Sequence, residues 1–413
     1  MCSRKGKTVL VSDDERANLL NDYFGTVCAP DSGTIPAIER FVPDSASINT
    51  VDFLPARVFA AMKILKNTNS CGPDSFPPVL YKKLASVLAE SLSLMFTSFM
   101  SVGQMPKAWT HAIVTPVYKS GDASDVSNYR TISLTCVACK IMERIIVSDM
   151  LDLLRLHKVI DKRQHGFLSR RSTSTNLLES LNDWTLALKD KKSVLVAYID
   201  YAKAFDTVSH AKLLTKLTAY GISGNLLTWI SNFLAHRTQQ TKVGTAMSKV
   251  TDLISGVVQG SVIGPLLFLL FINDVIAVLT KNECTCQLYA DDLKLYTAIN
   301  VDCDKNELQE RLNDLQAWSN TWQLKISYKK CVTLLISTAG HKPNIELKLG
   351  NEFRLQVMLM TWAYLSIINS RLLCTLITKS LRRLPEPILF LNVLSRKTYL
   401  HLSMPSTFTS DRC

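Results

Sequence analysis

The stretch QLYADDLKLY, Gln287 to Tyr296, sets two carboxylates, Asp291 and Asp292, side by side between two short apolar runs. Leu288 to Ala290 and Leu293 to Thr297 have the composition of paired strands, so the simplest local structure is a hairpin with both carboxylates at its tip. Neighbouring anions repel, and a cation that offsets the repulsion is a physical reason to place them together. A third carboxylate comes from KKSVLVAYIDYAKAFDTVSH, 191 to 210, where the continuous apolar run Val194 to Ile199 reads as a buried strand that ends in Asp200. If the strands are neighbours in one sheet, Asp200, Asp291 and Asp292 converge. A pair of Mg²⁺ ions would suit them, because hard cations prefer oxygen ligands and Mg²⁺ keeps places for water and phosphate. Two such ions can activate an attacking oxygen and stabilise a leaving one in phosphoryl transfer. Taken alone, an Asp-Asp pair also fits a solvated hairpin tip.

Composition narrows the partner. The 413 residues are 47% hydrophobic, enough for two or three subdomains around a substantial core. Lys and Arg number 47 against 35 Asp and Glu, and the resulting +12 favours a polyanion such as nucleic acid. Eleven scattered cysteines point to a reducing compartment rather than a disulfide framework. Cys136 and Cys139 form a lone CxxC with no second pair, which reads as two buried thiols. The N-terminus, MCSRKGKTVLVSDDER, is charged too early for a signal peptide. The longest apolar stretch, Val262 to Leu279, carries Gly264, Pro265, Asn273 and Asp274 and therefore reads as buried core rather than a membrane span. The expectation is an intracellular protein of the cytoplasm, the nucleus or both, with no membrane partner; the oligomeric state is not legible.

Along the chain, residues 1–50 form a leading segment with one helix from Asp14 to Phe24. Leu84 to Met100 carries the apolar stripe of a helix and is closed by Gly103. WTHAIVTPVYKSGDASDVSNYRTISL, 109 to 134, alternates like two strands around a polar turn flanked by Lys119 and Arg130, and ACKIMERIIVSDML after it is helical. Lys212 to Phe233 is helical with breaks at Gly221 and Gly224, and a polar stretch then leads to SGVVQGSVIGPLLFLLF, a glycine-punctuated loop entering an apolar helix. A helix from Asp304 places Leu308, Leu312, Leu315 and Trp322 on one stripe, and Leu372 to Leu384 suggests a last amphipathic helix ending at Pro385.

Three of these segments, AYIDYAKAFDTVSH, SGVVQGSVIGPLLF and YADD, resemble in order the central motifs of reverse transcriptases, in the variant carried by LINE-type non-LTR retrotransposons. NSCGPDSFPPVLYKK, NYRTISL, KIMERII, QHGFLSRRSTSTNLL and LQAWSNTWQLKISYKKC resemble the same family, so the likeness runs from about residue 15 to about residue 345. The resemblance implies an α+β right-hand polymerase: fingers over 51–185, a palm with an antiparallel sheet over 186–345, and a truncated or degenerate thumb over 346–413. It implies RNA-directed DNA synthesis on an RNA template, from a DNA primer, with deoxynucleoside triphosphates.

By that resemblance Asp200 and Asp291 are the main metal ligands, with Asp292 and the backbone of Tyr201 beside them. Phe205 crowds the sugar 2′-position, Lys119 and Arg130 meet the triphosphate, and Gln259 and Gly260 lie near the nascent base pair. Lys330 is placed to protonate the leaving pyrophosphate, and Arg163, Arg170 and Arg171 to grip template phosphates. Departures from the family pattern fall at Thr131 and Val258, where proline is usual, at Ser327, where asparagine is usual, and at YLSI from Tyr364, which only partly matches a YLG turn. With no upstream endonuclease, the chain reads as a fragment or degraded copy of a longer polyprotein. The alternatives are a catalytically impaired nucleic-acid-binding remnant and a two-metal nuclease; the latter leaves Phe205, Gln259 and the paired cations unexplained.

Overall fold

The computed structural model describes residues 2–4, 7–9, 12–280, 284–299, 305–337, 346–350, 353–355 and 357–361. The last predicted helix, Leu372 to Leu384, and the YLSI turn lie outside the described residues.

The architecture is α+β, with two five-stranded sheets among helices. At the centre of the first sheet is Ser193–Ile199, whose apolar run is covered on both faces. Trp184 and Leu188 of the helix Thr173–Lys189 pack with Val194 and Val196 on one face, while Leu195, Ala197 and Ile199 enter the main core on the other. Its neighbours are Asp292–Ile299 and Val332–Ser337, with Thr285–Tyr289 at one edge and Val357–Thr361 at the other. The sheet is antiparallel except at this last edge, where Val332–Ser337 and Val357–Thr361 run parallel, so the all-antiparallel expectation needs that correction.

The second sheet pairs His111–Tyr118 with Tyr129–Leu134 on one side and Arg237–Val243 on the other. Arg237–Val243 lies in the stretch that reads from sequence as merely polar. Two of its three inward polar side chains find partners there: Arg237 donates to the carbonyls of Phe233 and Trp109, and Thr241 bonds Asn21 and Ser248. Helix Asp13–Val27 covers this sheet, inserting Leu20 and Phe24 against Val114. Ser12 and Glu15 form a capping box at its start, and its first turn is acidic, as the helix dipole favours.

Between the sheets, Gly264–Ile272 is apolar all round and, apart from Pro265, wholly buried. It stops at Asn273 and Asp274 because both side chains bond inside the core. Asn273 donates to the carbonyl of Val159 and accepts from the amide of Asp161. Asp274 pairs at 2.5 Å with the fully buried Lys216, whose ammonium also lies over the ring of Trp322. The apolar run is thus core with satisfied polar groups. Among the described residues, Ala85–Val102 is the one helix long and apolar enough to cross a membrane by length and composition. Its Ala85, Ala89, Leu92, Phe96 and Met100 stripe is packed into the core, and Gly103 ends it in the left-handed region.

Candidate active site

The first sheet brings its three carboxylates together by register. The ladder pairs Leu293 with Ile199, so Asp292 and Asp200, one residue further along each strand, come level where the pairing ends. Tyr289 pairs with Asp292 across the hairpin, which leaves Ala290 and Asp291 as the two turn residues. The hairpin expected from sequence is present, with Asp291 in the turn and Asp292 opening the return strand.

Neighbours hold this turn from beneath. Gln164 accepts through Oε1 from the amides of Ala290 (2.9 Å) and Gly166 (2.7 Å), and its Nε2 donates to the carbonyl of Ala290. The backbone of Arg163 and His165 bonds both ways with Leu288, and Asn176 donates to the same Leu288 carbonyl. Gly166 is pressed so close that a Cβ there would lie 2.3 Å from the amide nitrogen of Ala290. On the other strand, Ser327 donates its amide to the carbonyl of Asp200 and Ala202 donates to the carbonyl of Lys325. These two bonds flank the Tyr201–Ile326 bridge and leave the Tyr201 carbonyl out of the ladder.

The electrostatics are those of crowded anions. Burial, then the charges of Asp291 and Asp200, push the Asp292 carboxyl up to about 6 against the pull of Lys119 and Arg130. Asp291 is raised chiefly by burial, with Asp200 adding to it. Lys119 is lowered by burial and by Arg130 and Lys330, while Asp200 and Asp291 act to raise it. Lys119 and Arg130, on the hairpin of the second sheet, are therefore near enough for their charges to act on the carboxylates of the first. Lys330 Nζ lies 3.3 Å from Asp200 Oδ1, so this lysine is paired with a carboxylate. Among the described residues no three His, Cys, Asp or Glu side chains already close into a cage for a metal ion. The donor set nevertheless fits a hard divalent cation: three carboxylates at one strand end, two of them raised by burial and by neighbouring carboxylate charge.

Phe205 follows Asp200 in a short irregular segment and stacks on Phe268 at 4.2 Å. That segment is zipped to the glycine loop by Val257 N to Phe205 O and Gly256 N to Val208 O. Gln259 donates through Nε2 to Asp206 at 2.6 Å, so its amide is engaged within the protein, and its carbonyl accepts from Ser133 of the second sheet. Gly260 has φ +119° and would place a Cβ 2.4 Å from the carbonyl of Ser133, which explains why glycine is needed there. The three arginines separate. Arg163 bonds Thr280 and Asp161, and Arg171 contacts His165 and Glu179; the two arginines, Glu179, Lys162 and Gln287 line a cavity of about 340 Å³. Arg170 is exposed with φ +63°.

Three positioning residues carry no clear sequence signal. Gln164 and Gly166 stand in QHGF, and their partner turn is over 120 residues away. Glu143 in KIMERII is fully buried and accepts from the amides of Val262 and Ile263, fixing the loop after Gln259 and Gly260 at the head of the apolar helix. A charged residue inside an apolar helical stripe was the one available signal.

A family model described as "Reverse transcriptase (RNA-dependent DNA polymerase)" matches residues 117–368. The chain is 31% identical over 284 residues to the RNA-directed DNA polymerase from mobile element jockey of Drosophila melanogaster, covering 67% of this chain and 31% of that protein. It is 28% identical over 289 residues to the probable RNA-directed DNA polymerase from transposon BS of the same organism, covering 67% and 31%. A Pol polyprotein from the type-1 retrotransposable element R2 of Nasonia vitripennis is 22% identical over 333 residues, covering 74% and 30%. The chain thus spans about a third of the length of the curated relatives it matches.

Proposed function

Because the chain belongs to the reverse transcriptase (RNA-dependent DNA polymerase) family, among the polymerases of LINE-type non-LTR retrotransposons, we propose that it carries out RNA-directed DNA synthesis. The primer 3′-oxygen attacks the α-phosphorus of a deoxynucleoside triphosphate; a bond from that oxygen to phosphorus forms, and the bond to the departing pyrophosphate breaks. The observation that carries this reading is the convergence of Asp200, Asp291 and Asp292 at one strand end, opposite Lys119 and Arg130.

In this reading the first sheet is a palm, the second sheet with the helix Asp13–Val27 belongs to the fingers, and a thumb would follow from about residue 346. Asp200 and Asp291 would hold divalent cations, Mg²⁺ and two in number, with Asp292 and the backbone carbonyl of Tyr201 beside them. When bound, these ions lower the pKa of the attacking hydroxyl and neutralise charge on the leaving oxygen. Lys119 and Arg130 bind the triphosphate; their pull on the carboxylates supports that placement. Lys330 donates a proton to the departing pyrophosphate, and its 3.3 Å approach to Asp200 puts it within reach. Phe205 walls the sugar, and Gln259 and Gly260 set the floor beneath the base pair. Arg163, Arg170 and Arg171 lie along the path proposed for template phosphates, with Arg170 the freest to bind.

The test is primer extension on a primed RNA template with Mg²⁺ and deoxynucleotides, comparing the chain with its Asp291→Ala, Asp292→Ala variant. Extension is expected from the parent and a loss on the order of a thousandfold or more from the variant. No extension by the parent, with template binding retained, favours the binding remnant. Cleavage of nucleic acid without added nucleotides favours a nuclease.

A further inference from the structure

Phe167 is a poor fit to its own surroundings. Its backbone is in the left-handed region at φ +54°, where a bulky side chain is disfavoured, and the residue is 56% exposed, so burial does little to hold it there. What the ring does touch is Phe205, edge to face, at 6.0 Å and 82°. Phe205 in turn lies flat on Phe268, a fully buried ring of the apolar helix. Phe205 is therefore held on one face by an immobile ring and on another side by Phe167.

The residue before Phe167 extends the argument. Gly166 is pressed against Ala290 of the carboxylate turn, and Gln164 bonds both Gly166 and Ala290. The short loop 164–167 thus touches the carboxylate turn at Ala290 with one end and the Phe205 ring with the other. We propose that Phe167 is a specificity-determining positioning residue: through its edge contact it fixes the Phe205 ring relative to the carboxylate turn, and so sets how strictly a nucleotide's sugar is read. The inference rests on the nucleotidyl-transfer reading above. It predicts that discrimination against a 2′-hydroxyl depends on a residue that need not touch the sugar itself.

Single-nucleotide primer extension with deoxy- and ribonucleoside triphosphates tests this on the parent chain, Phe167→Ala, Phe167→Leu, Phe167→Tyr and Phe205→Ala. Removing the ring edge in Phe167→Ala and Phe167→Leu is expected to raise the ribo-to-deoxy ratio of kcat/KM by roughly tenfold, mainly through a lower KM for the ribonucleotide. Phe167→Tyr, which keeps the ring, is expected to hold the parent ratio. The leucine variant retains most of the volume and keeps the comparison meaningful if the alanine variant folds poorly. A ratio within about twofold of the parent in both Phe167→Ala and Phe167→Leu, while Phe205→Ala shifts it, overturns the inference alone. Equal loss of deoxy- and ribonucleotide use in the Phe167 variants also overturns it. An unchanged ratio in Phe205→Ala removes the sugar wall and this inference together, and a parent that extends no primer removes the reading beneath both.

Discussion

The carboxylate tip of the first sheet and the cationic hairpin of the second face each other, yet they are held by opposite means. The tip is fixed from far along the chain: Gln164 to Ala290, Asn176 to Leu288 and Ser327 to Asp200 all join segments more than 100 residues apart. The hairpin's outer end is held by itself, through Tyr118 to Gly121, Asn128 to Asp122 and Tyr129 to Ala123. Val117, Tyr118 and Ile132 along it are exposed. The difference teaches how the site distributes charge. Its anions sit on backbone that cannot shift without disturbing the core, and its cations sit on side chains of a local unit that can respond to what enters.

Replacing the cations gives the largest effect that would break this contrast. Lys119→Ala and Arg130→Ala are each expected to lower kcat/KM for a deoxynucleotide about a hundredfold, the scale of losing one electrostatic donor at a reacting phosphate. Tm should stay within about 2 °C, because both residues keep much of their surface in solvent and the hairpin's outer bonds are its own. Steady-state extension and a thermal melt on the same samples check both halves. A fall of several degrees in Tm would show that the hairpin is bound into the core as firmly as the carboxylate tip.

The acidity of Asp292 gives the next effect. Its carboxyl is raised to about 6, above the roughly 3.9 of an unfolded aspartate, so the fold favours the neutral acid. The stability this group contributes is present below about pH 4 and is lost as pH rises through about 6, the reverse of a salt-bridged carboxylate. A divalent cation binds the charged form and must displace the proton. Mg²⁺ affinity is therefore expected to fall by about tenfold per pH unit below about 6, with proton release. Calorimetric titration in buffers of different ionisation enthalpy reads both quantities. Constant affinity between pH 7 and 5 would mean that the three anions do not act as one cradle.

The same contrast explains what the sequence disclosed. Elements whose signal is local were legible: the stripe through Leu92, Phe96 and Met100, the buried run Val194 to Ile199, and the hairpin about Asp291. Asp200, Asp291 and Asp292 were legible as a set because strand-end carboxylates and their motifs sit within short windows. Gln164 and Glu143 were not, because a polar side chain does not announce a backbone partner more than 100 residues away. Arg237–Val243 was missed for a related reason: its buried side chains are polar, so alternation carried no hydrophobic signal, and partners such as Asn21 and the Trp109 carbonyl lie far along the chain.

The smallest effect probes how tightly the carboxylate tip is determined. Ala290 has φ +57°, a conformation that costs a residue with a Cβ roughly 1–2 kcal/mol and that glycine adopts freely. Two terms oppose the gain from Ala290→Gly. Glycine widens the unfolded ensemble by about 0.4–1 kcal/mol, and removing a buried methyl loses about 0.8 kcal/mol. Ala290 is indeed buried, against Gly166. The terms nearly cancel, so urea unfolding should place the variant within about 1 kcal/mol of the parent. A loss well beyond about 2 kcal/mol would mean that the methyl, and not the Gln164 bonds, locks the turn. A gain of that size would mean that the strain is fully expressed and that the bonds to Gln164 alone keep Asp291 in place.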